Sequence, residues 1–114
     1  MPLIHHELCF GCGRTNLFGL LAELEPAGEG RVSGRCFIKQ DHQGPARGLA
    51  HPGVVAAALL EAISLAANQE PRGIELHFDA DASVGEFLDL EADRETATAS
   101  SGGRRVASAR TTGG

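Results

Sequence analysis

The sequence predicts an α+β fold in which a small, curved antiparallel sheet wraps one long central helix. Three observations carry this expectation. The stretch from 53 to 67 is almost entirely apolar, broken only by Glu61 and Ser64, and a helix of that composition is buried on most faces. The segments on either side alternate apolar and polar residues with period two, the mark of strands with one wet face. The chain has 114 residues, the size of one domain, so residues 1–114 are expected to share a single core.

Residues 1–17 read as an N-terminal loop centred on Cys9-Phe10-Gly11-Cys12-Gly13. A Cys-x-x-Cys pair with His5 and His6 upstream raises the question of zinc, which takes four ligands in structural sites. His5, His6, Cys9 and Cys12 could supply them, but adjacent histidines rarely converge on one ion and no second Cys-x-x-Cys exists. A redox pair would open a helix after a strand, where Gly11 and Gly13 sit badly. The expectation is a tight glycine turn with small buried thiols and no metal.

Residues 18–26 place Leu20, Ala22 and Leu24 on one side and Glu23 and Glu25 on the other, which predicts a strand. Residues 26–30 hold Pro26, Gly28 and Gly30 and predict a turn. Residues 31–38 alternate again, with Val32, Cys36 and Ile38 inward, and complete a hairpin. A loop from 39 to 52 leads into the helix, predicted over 53–68 and ended near Pro71. Ala56, Ala57, Ala58 and Ala62 let neighbouring backbones approach it closely. Strands follow at 73–80 (Ile74, Leu76, Phe78 and Ala80 inward), 87–99 and 104–112. Turns are expected at 83–86 and 100–103. So read, the sheet has five strands.

Composition narrows the possibilities. The chain is 42% hydrophobic with no Trp, no Tyr and 5 Phe, so the core is built from Ala, Leu, Val and Ile. A net charge of −5 argues against a nucleic-acid partner. The odd cysteine count favours a reducing compartment. The N-terminus lacks a basic start followed by an apolar run, and the apolar segment at 54–67 is too short to span a bilayer. A cytoplasmic protein without a membrane partner is expected. No Gly-x-Ser-x-Gly elbow and no phosphate loop is present. His77, Arg104 and Arg105 read as solvated surface.

The richest stretch is 42–68. Its first part, dense in glycine and proline, carries His42, Gln43, Arg47 and His51. Its second is the helix, whose N-terminus presents free backbone N–H groups and partial positive charge. Glu61, Ser64 and Asn68 form a polar stripe on one helix face.

Several motifs resemble those of small bacterial thioesterase-like hotdog proteins of the PaaI type. CFGCGRTNLFGL at 9–20 is similar to their CFxCGxxNPxGL signature. HQG at 42–44 resembles the start of their pre-helix loop, and HPGVVAAALLEAI at 51–63 their HGGxxAALLDEAM helix start. ASVGEFL at 82–88 resembles PVPLGEPL. The resemblance implies a hotdog fold, a homodimer or dimer of dimers, and hydrolysis of acyl-CoA or acyl-carrier-protein thioesters without a cofactor. It assigns Gly53 the backbone N–H that polarises the thioester carbonyl. Glu61 would be general base or nucleophile, with Ser64 helping to position water. His51, His42 and Gln43 would hold the loop or meet the substrate.

The chain departs from the pattern in three places. Pro52 replaces the first glycine and removes a donor. Leu60 stands where the family's acid lies, and Glu61 matches the Glu one residue later. Read as five strands, the chain also lacks the family's last strand. Leu60 keeps a second reading open: a non-catalytic hotdog protein that binds acyl-CoA or another small ligand.

Overall fold

Alternation decides the first hairpin. Leu24 is fully buried between the exposed Glu23 and Glu25, and Val32 and Cys36 face the same side from the neighbouring strand. The computed structural model describes residues 2–113. Its strands are β1 (Glu23–Pro26), β2 (Val32–Phe37), β3 (Gly73–Phe78), β4 (Phe87–Ala92), β5 (Thr96–Ser101) and β6 (Arg104–Thr112). A 3-10 turn at Gln40–His42 and one helix, α1 (Pro52–Ala67), lie between β2 and β3. All pairings are antiparallel, in the order β1-β2-β4-β5-β6-β3. One helix wrapped by one antiparallel sheet is the hotdog architecture that the motifs implied.

The sheet has six strands, not five. The segment 87–99 breaks at Asp93, whose Oδ1 accepts the N–H groups of Glu95 (2.8 Å) and Thr96 (2.7 Å) and the Thr96 hydroxyl (3.1 Å). A carboxylate that bonds the backbone two and three residues ahead builds a turn without glycine or proline. These N–H bonds favour the charged form and hold the Asp93 carboxyl below its ordinary pKa. The strand thought missing at the end of the chain was folded into this segment. The next turn is the two-residue kind. Gly102 and Gly103 have φ of 58° and 82°, joining Ser101 to its partner Arg104, in a conformation that glycine adopts without strain.

The first strand is shorter than expected. Leu21 has φ of 51°, which interrupts the extended run. Leu20 N–H and Ala22 N–H donate instead to the carbonyls of Phe10 (2.7 Å) and Gly11 (2.8 Å) in the N-terminal loop. That loop is therefore stitched along the sheet's margin. Its start is tied too, by Leu3 N–H to Leu24 O at 2.7 Å.

The helix ends one residue early, with Asn68 in the left-handed region at φ 56° as its cap. Val55, Ala58, Leu59, Ala62 and Ile63 are buried, and α1 packs on β2, β4, β5 and β6. Small side chains meet it there: Ala97, Ala99, Ala107 and Ala109 are all buried. β3, at the sheet's edge, differs from the expectation. Leu76 and Phe78 were assigned inward but are 38% and 45% exposed, because the helix lies across the strands nearer the sheet's middle. No helix among the described residues is long and apolar enough to cross a membrane.

Leu59 is fully buried in this core. Leu59→Ala is expected to lower the unfolding free energy by about 2–5 kcal/mol. The measurement is a denaturant titration, in which the midpoint should fall with little change of slope. A loss well below that range would mean that α1 is rotated from the orientation described.

Candidate functional site

A carboxylate in an apolar helix needs a partner, and Glu61 finds it in the N-terminal loop. Glu61 is only 8% exposed. Its Oε2 lies 3.0 Å from His5 Nδ1, and its two oxygens lie 3.8 and 3.9 Å from Cys9 Sγ. Cys12 Sγ is 3.4 Å from the same imidazole nitrogen and accepts the His5 backbone N–H at 3.1 Å. Ser64, one turn along the helix, holds the other side of the ring through an Oγ–Nε2 contact of 3.0 Å. Two residues of the polar stripe, Glu61 and Ser64, are therefore covered by the protein's own N-terminal loop, while Asn68 is exposed.

The loop approaches closely because Gly11 has no side chain: a Cβ there would overlap the Glu61 carboxylate. Gly13 N–H donates to Cys9 O at 2.9 Å and closes the turn between the cysteines. This is the glycine turn with small thiols that the sequence predicted, with Cys12 buried and Cys9 half-buried. Burial and the neighbouring Glu61 push the Cys12 thiol up to about 12. Cys36, elsewhere in the core, is raised to about 11 by burial.

The pre-helix loop is held by the residues assigned to the substrate. His51 caps α1, its Nδ1 accepting the Gly53 N–H at 2.8 Å. This is the loop-holding role of the two that were expected of His51. Such capping satisfies one of the free N–H groups of a helix start, and here it engages the Gly53 N–H assigned to the thioester. His42 is buried, accepts Lys39 N–H on Nδ1 at 3.1 Å, and offers its carbonyl to His51 N–H at 2.8 Å. Gln43 accepts Gly48 N–H at 2.7 Å and donates to Gln40 O at 3.0 Å.

Two groups of expected site residues thus lie apart. Gly53, His51, His42 and Gln43 sit at the start of α1. Glu61 begins two turns later, about 12 Å along the axis at the helical rise, and shares its end of the helix with Ser64. Beside Glu61 runs an open groove of about 360 Å³ whose lining includes Leu8, Phe10, Ala57, Leu60, Glu61 and Ser64. Leu60 stands 38% exposed there. Sequence reasoning singled out His5, Cys9 and Cys12 but not their convergence on Glu61; no local pattern links positions 52 apart.

The chain matches no family model and no curated protein. Its fold is similar to that of several solved structures. The Escherichia coli PaaI protein of the phenylacetic acid degradation operon superposes with a TM-score of 0.71 at 15% identity, over 81% of each chain. A hypothetical thioesterase from Streptococcus pneumoniae, solved with coenzyme A, gives 0.66 at 16% identity, over 81% of this chain and 86% of that one. Zebra fish thioesterase superfamily member 2 gives 0.65 at 18% identity, over 89% and 85%. The chain has the hotdog fold of PaaI-type and thioesterase superfamily proteins.

His42 Nε2 is buried and makes no well-formed hydrogen bond. Burial pushes its imidazole below the ordinary 6.5; Lys39 adds to this, while Asp41 and, least, the Gly19 carbonyl oppose it. The unfolded chain therefore binds more protons than the folded one below that value, and stability rises with pH. The contribution of neutral His42 is present above pH 6.5 and is lost as pH falls. His42→Asn, whose Oδ1 can replace Nδ1 as acceptor, is expected to flatten the decline in unfolding free energy on the acid side. Parallel pH profiles for the two proteins would refute the assignment.

Proposed function

We propose that this protein binds acyl thioesters of coenzyme A or an acyl carrier protein, in a site completed by a second copy of the chain, and that Glu61 does not hydrolyse them. The fold supports a thioester ligand, since the similar Streptococcus protein was solved with coenzyme A. One observation favours binding over hydrolysis. The only carboxylate of α1 is held against His5 at 3.0 Å, beneath the N-terminal loop. Leu60 occupies the position of the acid and is exposed. A general base must reach water beside the carbonyl, and Glu61 is committed elsewhere. The start of α1 remains the recognition end, where rotation of His51 would release the Gly53 N–H for a carbonyl oxygen.

Hydrolysis with Glu61 as base is the rival reading, and turnover separates the two. A panel of acyl-CoAs, followed with a thiol reagent, is expected to show no release of CoA, while at least one member raises the melting temperature. Leu60→Asp restores an acid on an exposed face and is expected to introduce hydrolysis where the parent has none. Parent turnover that falls by about 10²–10⁴-fold in Glu61→Gln, the usual cost of losing a general base, would overturn the proposal.

A homodimer or dimer of dimers completes this reading. β3 leaves one edge unpaired, with Leu76 and Phe78 exposed along it. Joining two such edges would satisfy the free backbone groups and extend the sheet. Light scattering at micromolar concentration is expected to give at least twice the chain mass of 11.9 kDa; a monomer would count against it.

A further inference from the structure

We propose that His5 Nδ1, Cys9 Sγ, Cys12 Sγ and a Glu61 carboxylate oxygen form a zinc site that fastens the N-terminal loop to α1. The site stands whether or not the protein binds thioesters.

The geometry carries it. One ligand atom from each of the four residues lies within 4.8 Å of all the others. A tetrahedral zinc ion, with sulfur at about 2.3 Å and nitrogen or oxygen at about 2.0–2.2 Å, sets its ligands about 3.3–3.8 Å apart. Four of the six separations, taking Glu61 Oε2 as the ligand atom, are 3.4 Å (His5 to Cys12), 3.6 Å (His5 to Cys9), 3.9 Å (Cys9 to Oε2) and 3.0 Å (His5 to Oε2), close to that range. Two sulfurs, an imidazole and a carboxylate are a ligand set that suits zinc.

The surroundings fit as well. Ser64 Oγ sits 3.0 Å from His5 Nε2. With Nε2–H donating to that hydroxyl, the Nδ1 lone pair faces the cluster, which is how a second partner orients a metal-bound histidine. The His5 backbone N–H donates to Cys12 Sγ, a contact that favours thiolate. Without a cation, the Nδ1–H tautomer would donate to Glu61 and accept the Ser64 hydroxyl on Nε2, but both sulfurs would still be left converging on the same point. Binding zinc displaces the two thiol protons to solvent and forms two Zn–S bonds, one Zn–N bond and one Zn–O bond. His6 is the neighbour that sequence reasoning also offered. Its Nδ1 instead accepts the Leu8 N–H at 3.2 Å, and it takes no part.

The test is zinc titration of the reduced full chain against a colorimetric chelator, with cobalt(II) substitution as a second probe. Stoichiometric zinc and the thiolate-to-cobalt charge-transfer absorption of a tetrahedral centre are expected. Cys9→Ser and Glu61→Gln should weaken zinc binding severely. Ser64→Ala, which removes no ligand, should weaken it by about 10–100-fold. His6→Ala should leave it unchanged. Circular dichroism of each variant separates loss of the site from loss of the fold; Ser64→Ala keeps the test decisive if a ligand variant does not fold. Absence of stoichiometric zinc in the reduced protein would overturn the proposal. So would a Cys9–Cys12 disulfide formed under reducing conditions, or undiminished zinc affinity in Glu61→Gln.

Discussion

A single buried carboxylate constrains much of this structure. Glu61 lies in the middle of a helix whose other buried residues, apart from Ser64, are apolar. Leaving such a group uncompensated would cost several kcal/mol or force it to neutralise. The N-terminal loop supplies the answer, bringing His5 and two sulfurs to the carboxylate and closing over Ser64. The requirements then propagate outward. Gly11 must lack a side chain, the cysteine turn must be tight, and Leu21 must leave the extended region so that 20 and 22 can bond the loop. A segment without strand or helix is thereby tied to both α1 and the sheet's margin.

The frame of the fold was legible because its signals are periodic. The apolar helix and the alternation of 18–26, 31–38 and 87–99 announce themselves within a few residues; the structure keeps the helix and the middle strand, shortens the first and divides the last. The division of β4 from β5 was not legible, since an aspartate turn leaves no glycine or proline to mark it. Exposure along β3 was hidden for another reason: alternation says which residues share a face, not whether anything covers that face. The site was read in halves. His51 and Gly53 belong to a local motif and sit at the helix start as their spacing requires. Glu61 was visible as an oddity in the helix, and the cysteine pair as an oddity in the loop. Their meeting is a tertiary contact across 52 positions, which no local pattern encodes.

The two ends of α1 consequently have different characters. At its start the backbone donor is held by a side chain that can turn away, since His51 is exposed. Farther along, the acidic group is locked among partners from a distant segment. The first arrangement suits a ligand that comes and goes. The second suits permanence.

The bare margin of β3 has a thermodynamic consequence. A strand edge that exposes Leu76 and Phe78 leaves apolar area in water and a row of backbone groups free to pair with another strand. If folding of the chain and closure of that edge are coupled, the free energy of the native state acquires a mass-action term. Dilution would then act on this protein as a mild denaturant. A melting point quoted without a protein concentration would describe the sample as much as the molecule.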